Sequence, residues 1–304
     1  MNKDTKKILS FIFFLIAAFF VYFGEEETTK NENNNEVQQK QVEQTEPVNS
    51  NSNLKVYFLD VGQADSVLIE NNQKYTLIDA GNNEDGPKLV TYFKSLGIES
   101  FDYLIGTHAH EDHIGGMDDI IENFAVDTFY MPDAITTTKT FEEILDALDV
   151  KSIAFETPEI DSTFSMEDCK FNVLHLSDDA SDLNDTSIVL KMNYGNNSFL
   201  FTGDATDKVE KKILNKDLKS DVFKVSHHGS HYSNSQEFLN KVNPKYSIIS
   251  VGKNNSYNHP TPSVINKLNK IGTQIYRTDD NGTIIATSDG TNISFETIKT
   301  NTNG

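Results

Sequence analysis

Short apolar runs alternate with polar turns along most of the chain, and their spacing predicts both strands and helices. Residues 54–59 alternate as in a strand, whereas residues 89–96 carry apolar side chains at helical spacing. The remaining pattern predicts a hairpin of strands 187–192 and 198–202 and helices at 117–124, 140–148 and 207–214. Two runs of strands, each with interspersed helices, predict two sheets packed together with helices outside them.

Residues 102–117 hold an unusual concentration of polar side chains directly after a predicted strand. His108, His110, Asp112 and His113 follow the apolar run 103–105 within a few residues. Imidazole nitrogen and carboxylate oxygen are ligands of zinc and similar divalent ions. In extended backbone, residues i and i+2 point to one side, so His108 and His110 can share one ion. Asp112 and His113 can then serve a second ion, past a bend. Gly115 and Gly116 are expected to form a tight turn there.

Polar residues also follow other predicted strands, and two of these places offer further ligands. Asp204 comes directly after strand 198–202, where its carboxylate could bridge two ions, and His227 after strand 221–226 could complete the second. Strand ends next to loops commonly carry the residues of a site. The alternative for Asp204 is a cap of the helix that starts near Thr206. The alternative for the run 227–230 is a surface loop.

The first 52 residues differ in composition from the rest. Residues 8–23 are almost wholly apolar, with lysines before them and glutamates after them, so residues 1–24 are predicted to be a membrane anchor or a signal segment. Residues 25–52 are acidic and polar and are predicted to be a disordered linker. Residues 53–304, about 250 residues, are predicted to form one sizeable domain. This predicts a single-pass protein of the cell membrane with its domain outside, or a protein secreted after signal cleavage.

The net charge and the cysteine content narrow the classes of function. The formal charge is −20; residues 1–24 contribute +2 and residues 25–52 contribute −5, which leaves −17 on the domain. Such a surface does not favour tight binding of nucleic acid through its phosphates, although bound metal ions would allow a nuclease. Cys169 is the one cysteine, which excludes an intrachain disulfide and a thiolate zinc site.

The segment His-Ala-His-Glu-Asp-His at 108–113 resembles the H-x-H-x-D-H signature of the metallo-β-lactamase fold. Further motifs resemble the branch that contains the hydrolase domain of the DNA-uptake protein ComEC; they lie at 58–66, 187–190, 201–205, 226–230 and 258–260. The resemblance covers roughly residues 54–290. It implies an α/β (α+β) fold, a four-layer αββα sandwich with a two-metal site at the edges of its sheets.

The resemblance also implies a role for each candidate residue. His108 and His110 would bind the first ion; Asp112, His113 and His227 the second; and Asp204 would bridge them. Asn184 stands near the place where many members have a histidine ligand, and His175 is the alternative there. Asp79 would orient the metal histidines from behind. His228 and His259 would contact substrate or move protons, and Asp112 would also help to orient the nucleophile.

These assignments predict a hydrolase that uses two divalent ions. Zinc is the expected metal, and manganese and iron are the alternatives. Two adjacent ions make hydroxide available at neutral pH. The expected substrates are phosphodiesters, either DNA or a small or cell-wall phosphodiester, and the acidic charge favours the small ones. The alternatives are a β-lactamase-like amide or ester hydrolase, and a non-catalytic surface binding protein with a vestigial metal site.

Overall fold

Two β-sheets form the centre of the computed structural model, which describes residues 53–134, 136–179 and 181–299. The first sheet has eight strands in the order β15-β14-β1-β2-β3-β4-β5-β6. Its strands are β1 (Leu54–Phe58), β2 (Ser66–Asn71), β3 (Lys74–Ala80), β4 (Ser100–Ile105), β5 (Ala125–Tyr130), β6 (Phe155–Glu156), β14 (Thr283–Ser288) and β15 (Ile293–Ile298). The strands from β3 to β6 pair in parallel and the others antiparallel.

The second sheet has seven strands in the order β13-β12-β11-β10-β9-β8-β7. They are β7 (Thr163–Met166), β8 (Cys169–His175), β9 (Val189–Tyr194), β10 (Asn197–Phe201), β11 (Val222–Lys224), β12 (Tyr246–Ile249) and β13 (Gln274–Arg277). The strands from β10 to β13 pair in parallel. Each sheet therefore has one parallel half, and the polar strand ends predicted from sequence lie in these halves.

Helices cover the outer faces of both sheets. They are α1 (Gly86–Ser95), α2 (Glu111–Ile114), α3 (Met117–Asn123), α4 (Lys139–Lys151), α5 (Asp207–Ile213), α6 (Gln236–Val242), α7 (Pro262–Ile271) and α8 (Thr278–Asn281). Short 3-10 turns lie at Asn83–Asp85, Leu183–Thr186 and Ser226–Gly229. The sequence pattern located α3, α4 and α5 to within a few residues, but it did not predict β13 or α8.

Three apolar clusters lie between the layers of helices and sheets. One lies between the first sheet and its helices and includes Phe93 and Phe101; a second lies between the two sheets and includes Phe58 and Phe171. The third lies between the second sheet and its helices and includes Phe238. This arrangement is an α/β sandwich of two sheets with helices outside, as the sequence predicts. The predicted hairpin is also confirmed, because β9 and β10 pair antiparallel across residues 194–197.

The predicted localisation needs correction. Among the described residues, no helix combines the length and the apolar character that crossing a membrane requires. This finding contradicts the prediction of a single-pass membrane protein as far as the structure reaches. The segments on which the prediction rested, residues 1–24 and the linker 25–52, lie outside the described residues.

Candidate metal centre

The carboxyl ends of the parallel strands from both sheets meet at one edge of the sandwich. Asp79 lies at the end of β3, and the loop 106–110 follows β4. Asp204 follows β10, and His227 and His228 follow β11. Parallel strands place their carboxyl ends side by side, so residues far apart in sequence converge here.

Asp79 anchors the histidine loop. Its Oδ1 accepts a hydrogen bond from the Thr107 backbone N–H at 2.8 Å, and its Oδ2 accepts one from the Thr107 hydroxyl at 2.9 Å. The same Oδ2 lies 2.8 Å from Nδ1 of His113. Asp79 has a φ of +59°, a conformation that aspartate adopts more readily than most residues. The carboxylate thus fixes the loop and one ring at once, which is the orienting geometry predicted for it.

His108 and His110 face each other. Nε2 of His108 lies 3.0 Å from Nδ1 of His110, and the His108 side chain is fully buried. Nδ1 of His108 lies 3.2 Å from the Thr107 hydroxyl, which leaves Nε2 directed toward His110. The two rings are therefore adjacent, with one nitrogen of each at the contact, and their role as two ligands of one ion stays a prediction.

Four side chains form a second group. One ligand atom each from Asp112, His113, Asp204 and His228 lies within 4.8 Å of all the others. Nε2 of His113 lies 3.2 Å from Oδ1 of Asp204, and Nε2 of His228 lies 3.4 Å from Oδ2 of Asp112. A bridging position of Asp204 fits this arrangement. The competing role for Asp204 does not apply, because Thr206 caps α5 by accepting a hydrogen bond from the Lys208 N–H.

The group contains His228 where the sequence interpretation had placed His227. His228 is buried, and its Nδ1 lies 2.9 Å from the Ser250 carbonyl oxygen, so Nε2 faces the carboxylates. His227 is partly exposed, with its Nε2 3.5 Å from Oδ2 of Asp204. Both residues have left-handed backbone, with φ of +51° and +50°, which costs roughly 1–2 kcal/mol per residue. This strained turn is what directs two successive imidazoles toward one carboxylate.

The donor set fits divalent metal ions. Nε2 of His113, Oδ1 of Asp204 and Nε2 of His228 are all buried and make no hydrogen bond of good geometry, although His113 lies at ion-pair distance from Asp204 and His228 from Asp112. Buried polar atoms are almost always partnered in native proteins, so unpartnered ones that face each other need an explanation. A cation between them would satisfy all three, and nitrogen with carboxylate oxygen is a ligand set suited to zinc, manganese or iron.

The pKa values show how strongly these groups interact. Burial alone would lower the pKa of His113, but Asp204, Asp79 and Asp112 outweigh it and raise that pKa well above its usual value. His228 behaves in the same way, with burial opposed by Asp204 and Asp65, and its pKa is raised. Burial would raise the pKa of Asp204, but His113 and His228 hold it well below its usual value. Positive charge is therefore strongly favoured at this point.

Three other histidines have lowered pKa values. Burial, with the nearby positive charge of His113, lowers the pKa of His108 well below its usual value. Burial also lowers the pKa of His227, and it lowers that of His259 to about 4 with help from His227 and His228. These rings are neutral near pH 7. A neutral imidazole is the form that binds a metal ion.

The two side chains predicted as alternatives for the third ligand of the first ion lie in different surroundings. Asn184 borders the pocket in front of the histidines, and its Oδ1 is buried without a partner. His175 instead lies at the end of β8 with its Nε2 3.1 Å from the Asp185 carbonyl oxygen. His175 is therefore hydrogen-bonded in the protein interior, and Asn184 is the side chain nearer to the site.

Close approaches explain two glycines of the site. Gly115 and Gly116 form the turn between α2 and α3, as the sequence predicts, and a Cβ on Gly115 would lie 2.3 Å from the backbone of residues 82–83. Gly203 has a φ of +49°, and a Cβ there would lie 2.9 Å from the Thr107 hydroxyl. Both glycines let the elements that carry ligands pack closely together.

A cavity of about 290 Å³ opens in front of these side chains. His259 borders it, half buried, and the exposed ring of Tyr257 stacks on His259 with centroids 5.7 Å apart. A second cavity shares part of its lining with the first, namely Gln63, Glu111, Asp112 and Tyr257. His259 therefore borders the cavity, and its predicted contact with substrate stays a prediction.

Two residues of the site were missed by the sequence interpretation. Asp65 and Lys224 are both buried and form an ion pair directly behind the metal group. Asp65 lies within the motif 58–66 as a charge between two apolar strands, a sequence signal for a special role, but only its long-range contacts show its place.

A comparison with protein families supports the same conclusion. Residues 59–253 match the model of the metallo-beta-lactamase superfamily. The chain belongs to this superfamily. The matched range contains every residue described above as a ligand candidate.

Two curated relatives specify the branch. ComE operon protein 3 of Bacillus subtilis is 33% identical over 251 residues, which are 76% of this chain and 32% of that protein. Competence protein ComA of Neisseria gonorrhoeae is 29% identical over 229 residues, 74% of this chain and 31% of that protein. Both confirm the resemblance to the ComEC-type competence branch. The chain spans about a third of the length of these relatives.

A solved structure supports the fold. The metallo-beta-lactamase fold protein YhfI from Bacillus subtilis aligns with 78% of this chain and 100% of its own, at a TM-score of 0.54 and 12% identity. At that identity the likeness shows the fold alone. The family and its fold imply a metal-dependent hydrolase with divalent ions in the group around Asp204.

Proposed function

We propose that this protein is a phosphodiesterase that holds two divalent metal ions and acts on small phosphodiesters. Zinc is the first choice for these ions. The observation that carries the proposal is the set of buried, unpartnered ligand atoms of His113, Asp204 and His228 beside the facing pair His108 and His110. A divalent cation between these atoms would bind them in place of the protons that otherwise hold the histidines and carboxylates together.

The proposed ligands form two sets, one for each metal ion. His108 and His110 would hold the first, with Asn184 or water in the third place. Asp112, His113 and His228 would hold the second, and Asp204 would contact both. When bound, two adjacent ions acidify a water molecule and offset the negative charge that develops on a phosphoryl group.

Other side chains of the pocket contribute binding and proton transfer. His259 is neutral near pH 7, borders the cavity and can accept a proton or donate a hydrogen bond to a bound molecule. The exposed Tyr257 ring, stacked on His259, offers an apolar face to a leaving group.

The charge of the pocket supports a small substrate. The cavity of about 290 Å³ shares part of its lining with a neighbouring cavity of about 580 Å³, so charge, rather than size, indicates a small substrate. Glu111 and Asp112 border it, and the domain is strongly acidic, so a long phosphate backbone would be repelled. DNA is the second substrate to test, because the two curated relatives are named as competence proteins.

The experiment is a substrate panel with the full chain and added Zn²⁺ or Mn²⁺. Bis-p-nitrophenyl phosphate should be hydrolysed, with linear and single-stranded DNA cleaved more slowly and nitrocefin unchanged. Asp204→Asn should lower the rate of hydrolysis at least about 100-fold. Even the loss of a side chain that only hydrogen-bonds to a metal ligand typically lowers activity or metal affinity roughly 10–100-fold. Asp221→Asn is the matched control, since Asp221 accepts from Ser198 at the opposite end of β11.

Two outcomes would contradict the proposal. Hydrolysis of nitrocefin without hydrolysis of any phosphodiester would favour the amide or ester hydrolase. A purified protein without a near-stoichiometric ion would favour the non-catalytic binding protein.

A further inference from the structure

Lys224 is a buried lysine at the end of β11, and its side chain is only 2% exposed. Lysines are rarely buried to this extent unless they are paired. Its ammonium group forms an ion pair with Asp65, whose side chain is 3% exposed. A pair of charges with so little contact with water lies directly beneath the proposed metal ligands.

Asp65 connects this ion pair to the metal group. Its Oδ1 lies 3.4 Å from Nδ1 of His228, the ring whose Nε2 faces the carboxylates. Its backbone N–H donates to the carbonyl oxygen of Asp112 at 2.9 Å. Its Oδ2 also lies 3.8 Å from Nδ1 of His113. Asp65 therefore approaches three members of the group, two rings by its side chain and Asp112 by its backbone.

Stability alone does not account for a pair of this kind. A buried ion pair loses in desolvation much of what it gains in attraction, and apolar residues of similar volume often replace it without loss. Lys191, in β9 of the same sheet, shows the ordinary arrangement. Its stem is buried, but its ammonium group lies 2.6 Å from the exposed carboxylate of Asp217. Lys224 instead directs its charge inward.

We propose that Lys224 and Asp65 are positioning residues for His228. The ammonium group holds Oδ2 of Asp65. Oδ1 is thereby kept 3.4 Å from Nδ1 of His228, where its negative charge supports the ring that is hydrogen-bonded to the Ser250 carbonyl. Nε2 is thereby held toward the second ion. A carboxylate behind a ligating histidine fixes the orientation of its ring and raises its basicity. This role concerns metal binding and does not depend on the substrate.

The test measures metal binding without substrate. The full chain and the variants Asp65→Asn, Lys224→Met and Asp65→Asn/Lys224→Met are stripped of metal and titrated with Zn²⁺ against a chromophoric chelator. Each single variant should weaken one of the two binding steps roughly 10–100-fold and leave the other unchanged. Urea unfolding of the stripped proteins reports stability separately. The double variant should recover stability, because no unpaired charge stays buried, but it should not recover affinity.

Lys191→Met is the matched control and should leave both binding steps unchanged. Wild-type affinity in the double variant would overturn the proposal, since the pair would then be only structural. Tighter binding by Lys224→Met would also overturn it, because the ammonium would then act merely as a charge that repels the ions. A wild-type chain that binds no Zn²⁺ would refute this role and the proposed function together. Two bound ions without phosphodiester hydrolysis would refute only the proposed function.

Discussion

Oδ2 of Asp79 lies 2.8 Å from Nδ1 of His113, although the two residues are 34 positions apart in the chain. The contact leaves Nε2 of His113 to face Asp204, which comes from the other sheet. A single hydrogen bond thus relates the end of one strand to a ligand group shared by both sheets.

Asp79→Asn is expected to weaken metal binding by about 10–100-fold, the usual cost of losing an outer partner of a ligating histidine. Asparagine tolerates the positive φ of this position and still accepts the Thr107 hydrogen bond, so the change removes mainly the charge behind His113. Titration of the stripped protein with Zn²⁺ measures the effect. Unchanged affinity would show that Asp79 only holds the loop.

His228→Gln and His227→Gln should differ in metal stoichiometry. His228 lies in the group with Asp112, His113 and Asp204, so its loss should reduce the content from two ions to about one. His227→Gln should have the smaller effect, because His227 is partly exposed and outside that group. Elemental analysis of the purified variants decides between them. The reverse order would restore the assignment made from the sequence.

Asn184→His should tighten binding of the first ion. Asn184 borders the pocket with a buried, unpartnered oxygen, and imidazole is a better zinc ligand than an amide. A gain on the order of tenfold is expected, because one protein ligand would replace an amide or water. Asn184→Ala is the control and should not tighten binding. If both substitutions weaken binding equally, the amide is itself an effective ligand.

The metal-free protein should be most stable near pH 6.5. The pKa values of His113 and His228 are raised, so the stability they contribute is present below the unfolded-state value of about 6.5 and is lost as the pH rises through their folded pKa values. The pKa values of His108, His227 and His259 are lowered, so stability also falls as the pH drops below about 6.5.

Urea unfolding with a chelator at pH 5, 6.5 and 8.5 measures this profile. Bound metal requires neutral imidazole, so the loaded protein should have its maximum at higher pH. A steady rise in the stability of the chelated protein from pH 5 to 8.5 would contradict the opposing shifts.

The kind of site could be predicted from the sequence because its densest part is local. His108, His110, Asp112 and His113 lie within one loop, and the spacing of residues in extended backbone already directs two rings to one side. Alternation and helical spacing also located most strands and helices, since these patterns follow from the element itself. The hairpin around 194–197 is one example, because both of its strands are adjacent in sequence.

Only the tertiary structure distinguished His228 from His227. Adjacent residues normally point to different sides, but here two successive left-handed conformations direct both rings toward Asp204, and a hydrogen bond to Ser250 selects His228. The pairing of Lys224 with Asp65 was equally hidden, because it joins a strand of one sheet to a loop of the other. The sequence by itself determines which ligand residues lie close together along the chain. Which side chains meet across the two sheets depends on how the sheets pack, and the whole apolar core between them decides that packing.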